Sequence, residues 1–150
     1  MPQSLAKIIT HIVFSTKNRV PIIPDAIRAE LNAYFVGILK NLDCPSIQVN
    51  SMPDHVHVLC VLSKNHALAK VVEEIKKGTS KWIKTKSPGL RQFYWQNGYG
   101  AFSVSPSKVE EVRQYIAGQD EHHRWITFQE EFRAFLERHG IEYEQRYVWD

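Results

Sequence analysis

Two histidines separated by one residue, His55 and His57, carry the spacing in this chain that points most directly to chemistry. They stand in Pro53-Asp54-His55-Val56-His57-Val58-Leu59-Cys60-Val61-Leu62, which opens on a turn signal, Met52-Pro53-Asp54, and continues in β-branched and aliphatic residues. Successive side chains of a strand point to opposite faces. His55 and His57 therefore share one face, with rings close enough to bind a single ion. Val56, Val58, Cys60 and Leu62 fill the other face, as a half-buried strand requires. Neutral imidazoles are common ligands of divalent metals, so a His-x-His pair on a rigid strand is a metal half-site. The alternative at this level is two polar residues on the wetter face of a sheet.

A second signal is charge. The net charge of +3 hides an asymmetry. Residues 1–109 carry 14 Lys or Arg against 6 Asp or Glu, a balance of +8, whereas residues 110–150 carry 5 against 10, a balance of −5. The densest basic stretch, 64–86, holds seven lysines and two glutamates. A basic body suits a polyanionic partner; a solvated helix face is the alternative. Lys70, Lys77, Lys81 and Lys84 lie largely off the apolar stripe of their helix and are free to meet phosphates, and Lys17-Asn18-Arg19 forms a basic loop. Phe93, Tyr94, Trp95, Tyr99 and Phe102, interleaved with polar residues, could stack on bases, although packing in a core is the commoner use.

The elements that must position these residues follow from periodicity. Leu5 to Ser15 reads as a strand, with Ile8, Ile12 and Phe14 on one face and Ile9, His11 and Val13 on the other; His11 could approach a nucleic-acid strand, but a structural histidine is the commoner reading. Pro24-Asp25 opens a helix with Ile27, Leu31, Tyr34, Phe35 and Ile38 as its stripe. Ser46 to Asn50 is a short strand with Ile47 and Val49 inward, joined by a hairpin to the histidine strand. Ser63 or Asn65 caps a helix over roughly 66–84, with Leu68, Val71, Val72, Ile75 and Trp82 inward. Tyr99 to Ser105 reads as a further strand, where Gly98 and Gly100 let a backbone or ligand approach closely. Ser107-Lys108-Val109-Glu110 has the form of a capping box. It starts a helix with Val109, Val112 and Ile116 inward, and with Tyr115 and Gln119, four apart, on a second face beside Glu111. His122 and His123 follow it; accessory ligands are one reading of them, and supporting or surface residues the commoner one. Thr127-Phe128-Gln129-Glu130 is another capping box, opening a helix with Phe128, Phe132, Phe135 and Leu136 inward, stopped by Gly140. The tail from Ile141 to Asp150 is aromatic-rich and suits docking.

Strand, helix, strand, strand, helix, strand, then extra helices is the split β-α-β order of ferredoxin-like domains: an α+β fold with an antiparallel sheet and additional C-terminal helices. A chain of 150 residues fits one domain, 1–150, with the last helix and tail from about 127. Cys44 and Cys60 have no metal or redox spacing and read as reduced core residues of a cytoplasmic protein. A signal peptide is not expected, nor a membrane span or a small-molecule substrate.

The set Asp54-His55-Val56-His57, then Tyr99-Gly100-Ala101-Phe102-Ser103-Val104-Ser105, then Tyr115-Ile116-Ala117-Gly118-Gln119 resembles the single-tyrosine HUH transposases of bacterial insertion sequences and their REP-associated relatives. HUH denotes histidine, hydrophobe, histidine. The resemblance covers nearly the whole chain. It implies His55, His57 and Gln119 as metal ligands, Tyr115 as nucleophile, Mg²⁺ or Mn²⁺ as the ion, and single-stranded DNA beside a folded hairpin as substrate. Ligand chemistry alone favours a softer ion, because imidazole suits Zn or Mn better than Mg. Strand transfer needs two tyrosines, so a homodimer is expected: a sheet edge near the first strand could pair across the axis, and Gly118 to Arg124 could let the tyrosine helix reach the partner. The resemblance points the same way, although REP-associated relatives can act as monomers. Two other readings stay open: a domesticated regulator that binds hairpin DNA without transposition, and a histidine-metal nuclease that uses water and does not need Tyr115.

Overall fold

Four strands, β1 (Ile8–Ser15), β2 (Ser46–Ser51), β3 (His55–Leu62) and β4 (Gly100–Ser103), form one antiparallel sheet in the order β2-β3-β1-β4. The computed structural model describes residues 2–150. Helix α1 (Asp25–Asn41) joins β1 to β2, and α2 (Leu68–Lys84) joins β3 to β4. This is the expected ferredoxin-like split β-α-β arrangement. Helices α3 (Val109–Ala117), α4 (Gln119–His122) and α5 (Phe128–Arg138) follow.

The two faces of the sheet have different covers. Ile12, Phe14, Val56, Val58 and Cys60 turn towards α1 and α2 and meet Leu31, Phe35, Val71 and Ile75. Each such buried side chain contributes about 1.5–3 kcal/mol of transfer free energy. On the opposite face, Ile9 and Leu59 pack against Val109, Val112 and Ile116 of α3, and Val13 and Phe102 pack against Phe128, Phe132 and Leu136 of α5. Strand β3 is therefore buried on both faces rather than half-buried. The wetter-face alternative for His55 and His57 falls, since they are 1% and 0% exposed.

Several local expectations change. β1 lies between β3 and β4, so the sheet edges are β2 and β4, and the free edge near the first strand is that of β4. A register shift between Ser46 and Gln48 turns Ile47 beside Ile9 and Leu59, while Val49 stays in the α1–α2 core. Helix α2 starts at Leu68 without a side-chain cap; Ser63 Oγ instead accepts the Asn65 N–H at 3.1 Å and closes the preceding turn. Ser107 does not cap α3 either. Pro106–Lys108 winds as a short 3-10 turn, and the Ser105 and Ser107 hydroxyls pair at 3.2 Å. At α5 the sequence signal holds: Thr127 Oγ1 accepts the Glu130 N–H at 3.2 Å.

Helix α5 approaches β4 closely because Gly100 has no side chain; a Cβ there would run into the Phe132 ring. The Gly98 N–H donates to the Asp150 carbonyl at 2.7 Å, and Trp149 and Val148 pack on the Phe128–Phe132 cluster. The tail thus docks on its own chain. Cys44 and Cys60 are free and buried, and no helix among the described residues is long and apolar enough to cross a membrane.

Candidate metal and nucleophile site

Strand alternation puts the His55 and His57 rings side by side, 5.2 Å between centroids, on the face covered by α3 and α5. Both present Nε2 to the same point, because each Nδ1 is already engaged. His55 Nδ1 lies 2.7 Å from Asp54 Oδ1, and His57 Nδ1 lies 2.8 Å from His11 Nε2. His11 reaches it from the neighbouring strand, where it is buried rather than exposed to a ligand.

Helix α3 brings Tyr115 to this pair. Val109, Val112 and Ile116 anchor the helix on Ile9 and Leu59. Asn50 Nδ2 donates to the Ile116 carbonyl at 2.8 Å, satisfying a group that the helix end leaves open. The helix breaks at Gly118, so Gln119 begins α4 instead of completing the last turn of α3. An ion pair between Arg28 and Asp120, 2.9 Å, ties α4 to α1. Gln119 is fully buried, with Oε1 3.4 Å from His55 Nε2. The structure thus brings together Tyr115, His55, His57 and Gln119, 64 residues apart at the widest histidine–glutamine separation.

At the centre stands a residue that the sequence reading passed over. Glu131 of α5 is 2% exposed. Its Oε1 lies 2.9 Å from His57 Nε2, 3.3 Å from His123 Nε2 and 3.8 Å from His55 Nε2. Its Oε2 accepts a hydrogen bond from the Tyr115 hydroxyl and lies 3.1 Å from His122 Nε2. The signal was positional: Glu131 falls three after Phe128 and four before Phe135, on the inward stripe of α5, where a carboxylate is costly unless paired. His123, for which an accessory ligand is the less common of the readings its sequence position allows, has its Nε2 in the cluster, and His122 Nε2 lies 3.2 Å from the Tyr115 hydroxyl.

Burial opposes charge on every group here, and hydrogen bonds decide which groups keep it. Burial alone would push Glu131 up, but hydrogen bonds from His123, His57 and Tyr115 outweigh it and hold the carboxyl well below its usual range. Burial holds His57 below the usual imidazole range despite its bond to Glu131, and holds His11 further down. Burial pulls His123 down, but its bond to Glu131, the Glu131 charge, the Ile126 carbonyl and Asp54 together outweigh it and draw His123 upward. Burial, then the adjacent Glu131 charge, push the Tyr115 hydroxyl well above its ordinary range. As the groups stand, Tyr115 holds its proton firmly.

His55, His57, His123 and Glu131 offer ligand atoms all within 4.8 Å of one another. Imidazole nitrogens with one carboxylate form a donor set that fits a divalent ion. Beside it, a cavity of about 820 Å³ opens between α3 and α5, lined in part by Tyr115, Glu131, Phe102, Phe135, Lys108 and Arg138.

The other basic residues lie elsewhere. Helix α2 packs on the face of the sheet away from the histidines. Lys70 Nζ is 3.0 Å from Glu74 and 3.8 Å from Glu73. Lys84 sits 4.5 Å over the exposed Tyr94 ring, which Lys17 also approaches at 5.9 Å, and Arg19 stacks 5.2 Å over Trp149. Lys77 and Lys81 share α2 with them. Lys76, not singled out from sequence, is bound to the carbonyls of Gln96, Asn97 and Gly98 at 2.8, 3.1 and 2.6 Å.

Residues 4–119 match a family model described as "Transposase IS200 like". No curated protein sequence matches the chain. Among solved structures, a candidate transposase from Deinococcus radiodurans R1 aligns with a TM-score of 0.64 at 23% identity, over 79% of this chain and 98% of that one. A REP-associated tyrosine transposase bound to a REP hairpin aligns with a TM-score of 0.59 at 14% identity, over 84% of this chain and 74% of that one. At these identities the two structures share the fold.

Proposed function

Because this chain belongs to the IS200-like transposase family, we propose that it cuts and rejoins single-stranded DNA beside a hairpin through a covalent link to Tyr115. The observation that supports this most is the convergence of Tyr115, from α3, with His55 and His57, from β3, around one buried carboxylate. The hairpin bound to the REP-associated neighbour supports the substrate class.

In this reading Tyr115 Oη attacks the phosphorus of a phosphodiester. The bond to the 3′ oxygen breaks, and that oxygen leaves as a 3′-hydroxyl on taking up a proton. Glu131 Oε2 accepts the hydrogen bond of the Tyr115 hydroxyl and aims its oxygen, and the tyrosine proton is released to solvent through the adjoining cavity as the O–P bond forms. The product is a 5′-phosphotyrosine. It keeps the energy of the broken diester, so a second 3′-hydroxyl can displace Tyr115 and reseal DNA without ATP. A divalent ion held by His55, His57 and Gln119, Mg²⁺ or Mn²⁺, would neutralise charge on the phosphate oxygens and lower the cost of deprotonating a nearby tyrosine. The cavity beside Tyr115 takes the nucleotide next to the scissile phosphate, with Phe135 and Phe102 as apolar walls and Arg138 and Lys108 as cations for the strand.

Incubating the chain with labelled hairpin-bearing single strands and Mn²⁺, then running a denaturing gel, tests the reading. A labelled protein band is expected from the wild-type chain and none from Tyr115→Phe. Hairpin binding without any adduct would instead support the regulator reading. Cleavage by Tyr115→Phe at the wild-type rate would mean that water is the nucleophile.

A further inference from the structure

The family match ends at Gln119, yet two of the side chains that close around the histidine pair lie beyond it: His123, just after α4, and Glu131, on α5. We infer that this C-terminal extension converts the histidine pair into a three-imidazole, one-carboxylate site, His55, His57, His123 and Glu131, that selects a transition metal over Mg²⁺. The inference rests on the reading above that a metal sits at His55 and His57. It adds two ligands, moves Gln119 from the ligand set to its margin, and names the class of ion.

Orientation carries the argument. A metal-binding histidine usually gives its second ring nitrogen to a carboxylate, a carbonyl or another polar partner, which fixes the ring. All three histidines do so here. His55 Nδ1 is 2.7 Å from Asp54 Oδ1, His57 Nδ1 is 2.8 Å from His11 Nε2, and His123 Nδ1 is 2.8 Å from the Ile126 carbonyl. Every Nε2 is thereby turned inward, onto Glu131 Oε1. A lone buried histidine packed for stability has no reason to share this arrangement with two others.

Spacing agrees. A tetrahedral ion with bonds of about 2.0–2.1 Å holds its ligands about 3.3 Å apart. The three distances from Glu131 Oε1 to Nε2 atoms are 2.9, 3.3 and 3.8 Å, and all four ligand atoms lie within 4.8 Å of one another, so the imidazoles need to close in only slightly on a bound ion. Donor chemistry then chooses the ion. Mg²⁺ prefers oxygen ligands and keeps several waters, whereas imidazole suits Zn²⁺, Co²⁺ and their neighbours. A set with three nitrogens and one oxygen is on the transition-metal side. Gln119 Oε1, 3.4 Å from His55 Nε2, is left at the margin as an additional oxygen.

The second oxygen of Glu131 gives the assignment a consequence for the nucleophile. It holds the Tyr115 hydroxyl, so one carboxylate touches both the ligand cluster and the tyrosine. Occupation of Oε1 by a cation draws electron density from Oε2 and weakens its hold on the Tyr115 proton.

The test is metal binding by the full chain after chelator treatment, read by equilibrium dialysis and by the visible absorption of bound Co²⁺. One ion per chain is expected, with Co²⁺ and Zn²⁺ bound at least 100-fold more tightly than Mg²⁺. Glu131→Gln, which keeps size and shape, and His123→Gln should each weaken Co²⁺ binding about 10-fold or more and shift its visible bands. Gln119→Ala should change both less. Circular dichroism melts in chelator identify any variant that fails to fold, and the other then decides. Equal affinity for Mg²⁺, or Co²⁺ binding and spectra in the folded variants that match wild type, would overturn the inference. The adduct gel separates this outcome from the function: Co²⁺ bound as described without an adduct leaves the site standing and removes the strand-transfer reading, whereas an adduct with unaltered Co²⁺ spectra in Glu131→Gln does the reverse.

Discussion

His11 Nε2 lies 2.8 Å from His57 Nδ1, and the two buried rings stack at 5.1 Å between centroids. This contact sets what His57 can offer. With no metal, His57 Nε2 faces Glu131 and donates to it, so Nδ1 accepts from His11. With a metal on His57 Nε2, the His57 proton moves to Nδ1 and His11 becomes the acceptor. His11 can play both parts only because each of its tautomers leaves Nε2 in one of the two states. His11→Phe fits the aromatic surroundings of Phe102 and Phe135 but can do neither. The variant should fold and lose about 10–100-fold in metal affinity, as measured by dialysis. Unchanged affinity would show that the contact is only packing.

The same groups make stability depend on pH in the metal-free chain. Burial holds His11 and His57 below the usual imidazole value, and hydrogen bonds hold Glu131 below the usual carboxyl value despite its burial. A group whose folded value is depressed adds stability that is present above its unfolded value and is lost as pH falls towards the folded one. The loss therefore begins near pH 6.5 for the histidines and grows below about 4.3 for Glu131. His123, raised by Glu131, works the other way, adding stability below about 6.5 that is lost as pH rises. His122 is also lowered by burial, so three histidines stand against one; Tm should fall between pH 7 and pH 5 in chelator, and His11→Phe should flatten the fall. Calorimetric melts across that window check it, and a flat wild-type profile would contradict it.

The fold was legible in the sequence because its signals are local and periodic. Alternation in Val56, Val58 and Cys60 gave β3 its core face, and the stripes of Leu31–Phe35 and Val71–Ile75 gave the two covering helices. The order of elements then left few topologies. The histidine pair was legible as a metal half-site from strand alternation, and Tyr115 through the resemblance to a known pattern. Glu131 and His123 were not, because what makes them part of the site is the docking of α5 over β3, and that depends on contacts such as Phe132 on Gly100. A capping box announces where α5 starts but not what it covers. The helix break at Gly118 was equally hidden, since the spacing of Tyr115 and Gln119 suits a continuous helix just as well.

The lysines of α2 should act on affinity and not on chemistry, since α2 lies across the sheet from Tyr115. Lys77→Ala, Lys81→Ala and Lys84→Ala should each weaken all single strands about equally and lower the salt slope by roughly 0.7. Lys70→Ala should do less, because Glu73 and Glu74 already share its charge. Adduct yield at saturating DNA should not change in any of them. Fluorescence anisotropy over a salt series reads the slopes, and an effect confined to one base sequence would mean that these residues read bases.

Assembly gives the last prediction. Exchanging two DNA ends needs two tyrosines, and a two-fold dimer would supply the second. Whether the helices are shared between protomers depends on what holds α3 in place. Here it is held on its own sheet. Asn50 Nδ2 grips the Ile116 carbonyl at 2.8 Å, Ile116 is fully buried against Ile9 and Leu59, Arg28 pairs with Asp120 just past the Gly118 break, and the Tyr115 hydroxyl is bound to Glu131 of the same chain. Passing Tyr115 to a partner would break all four contacts together, and burial of Ile116 alone is worth about 1.5–3 kcal/mol. A dimer built through β2 or β4, the free edges, would leave each site complete within its own chain. Mixing Tyr115→Phe with His57→Ala, each inactive alone, should therefore yield no adduct even where sedimentation shows dimers. Recovery of adduct in the mixture would show that the helix crosses over, with Gly118 as the point where it turns.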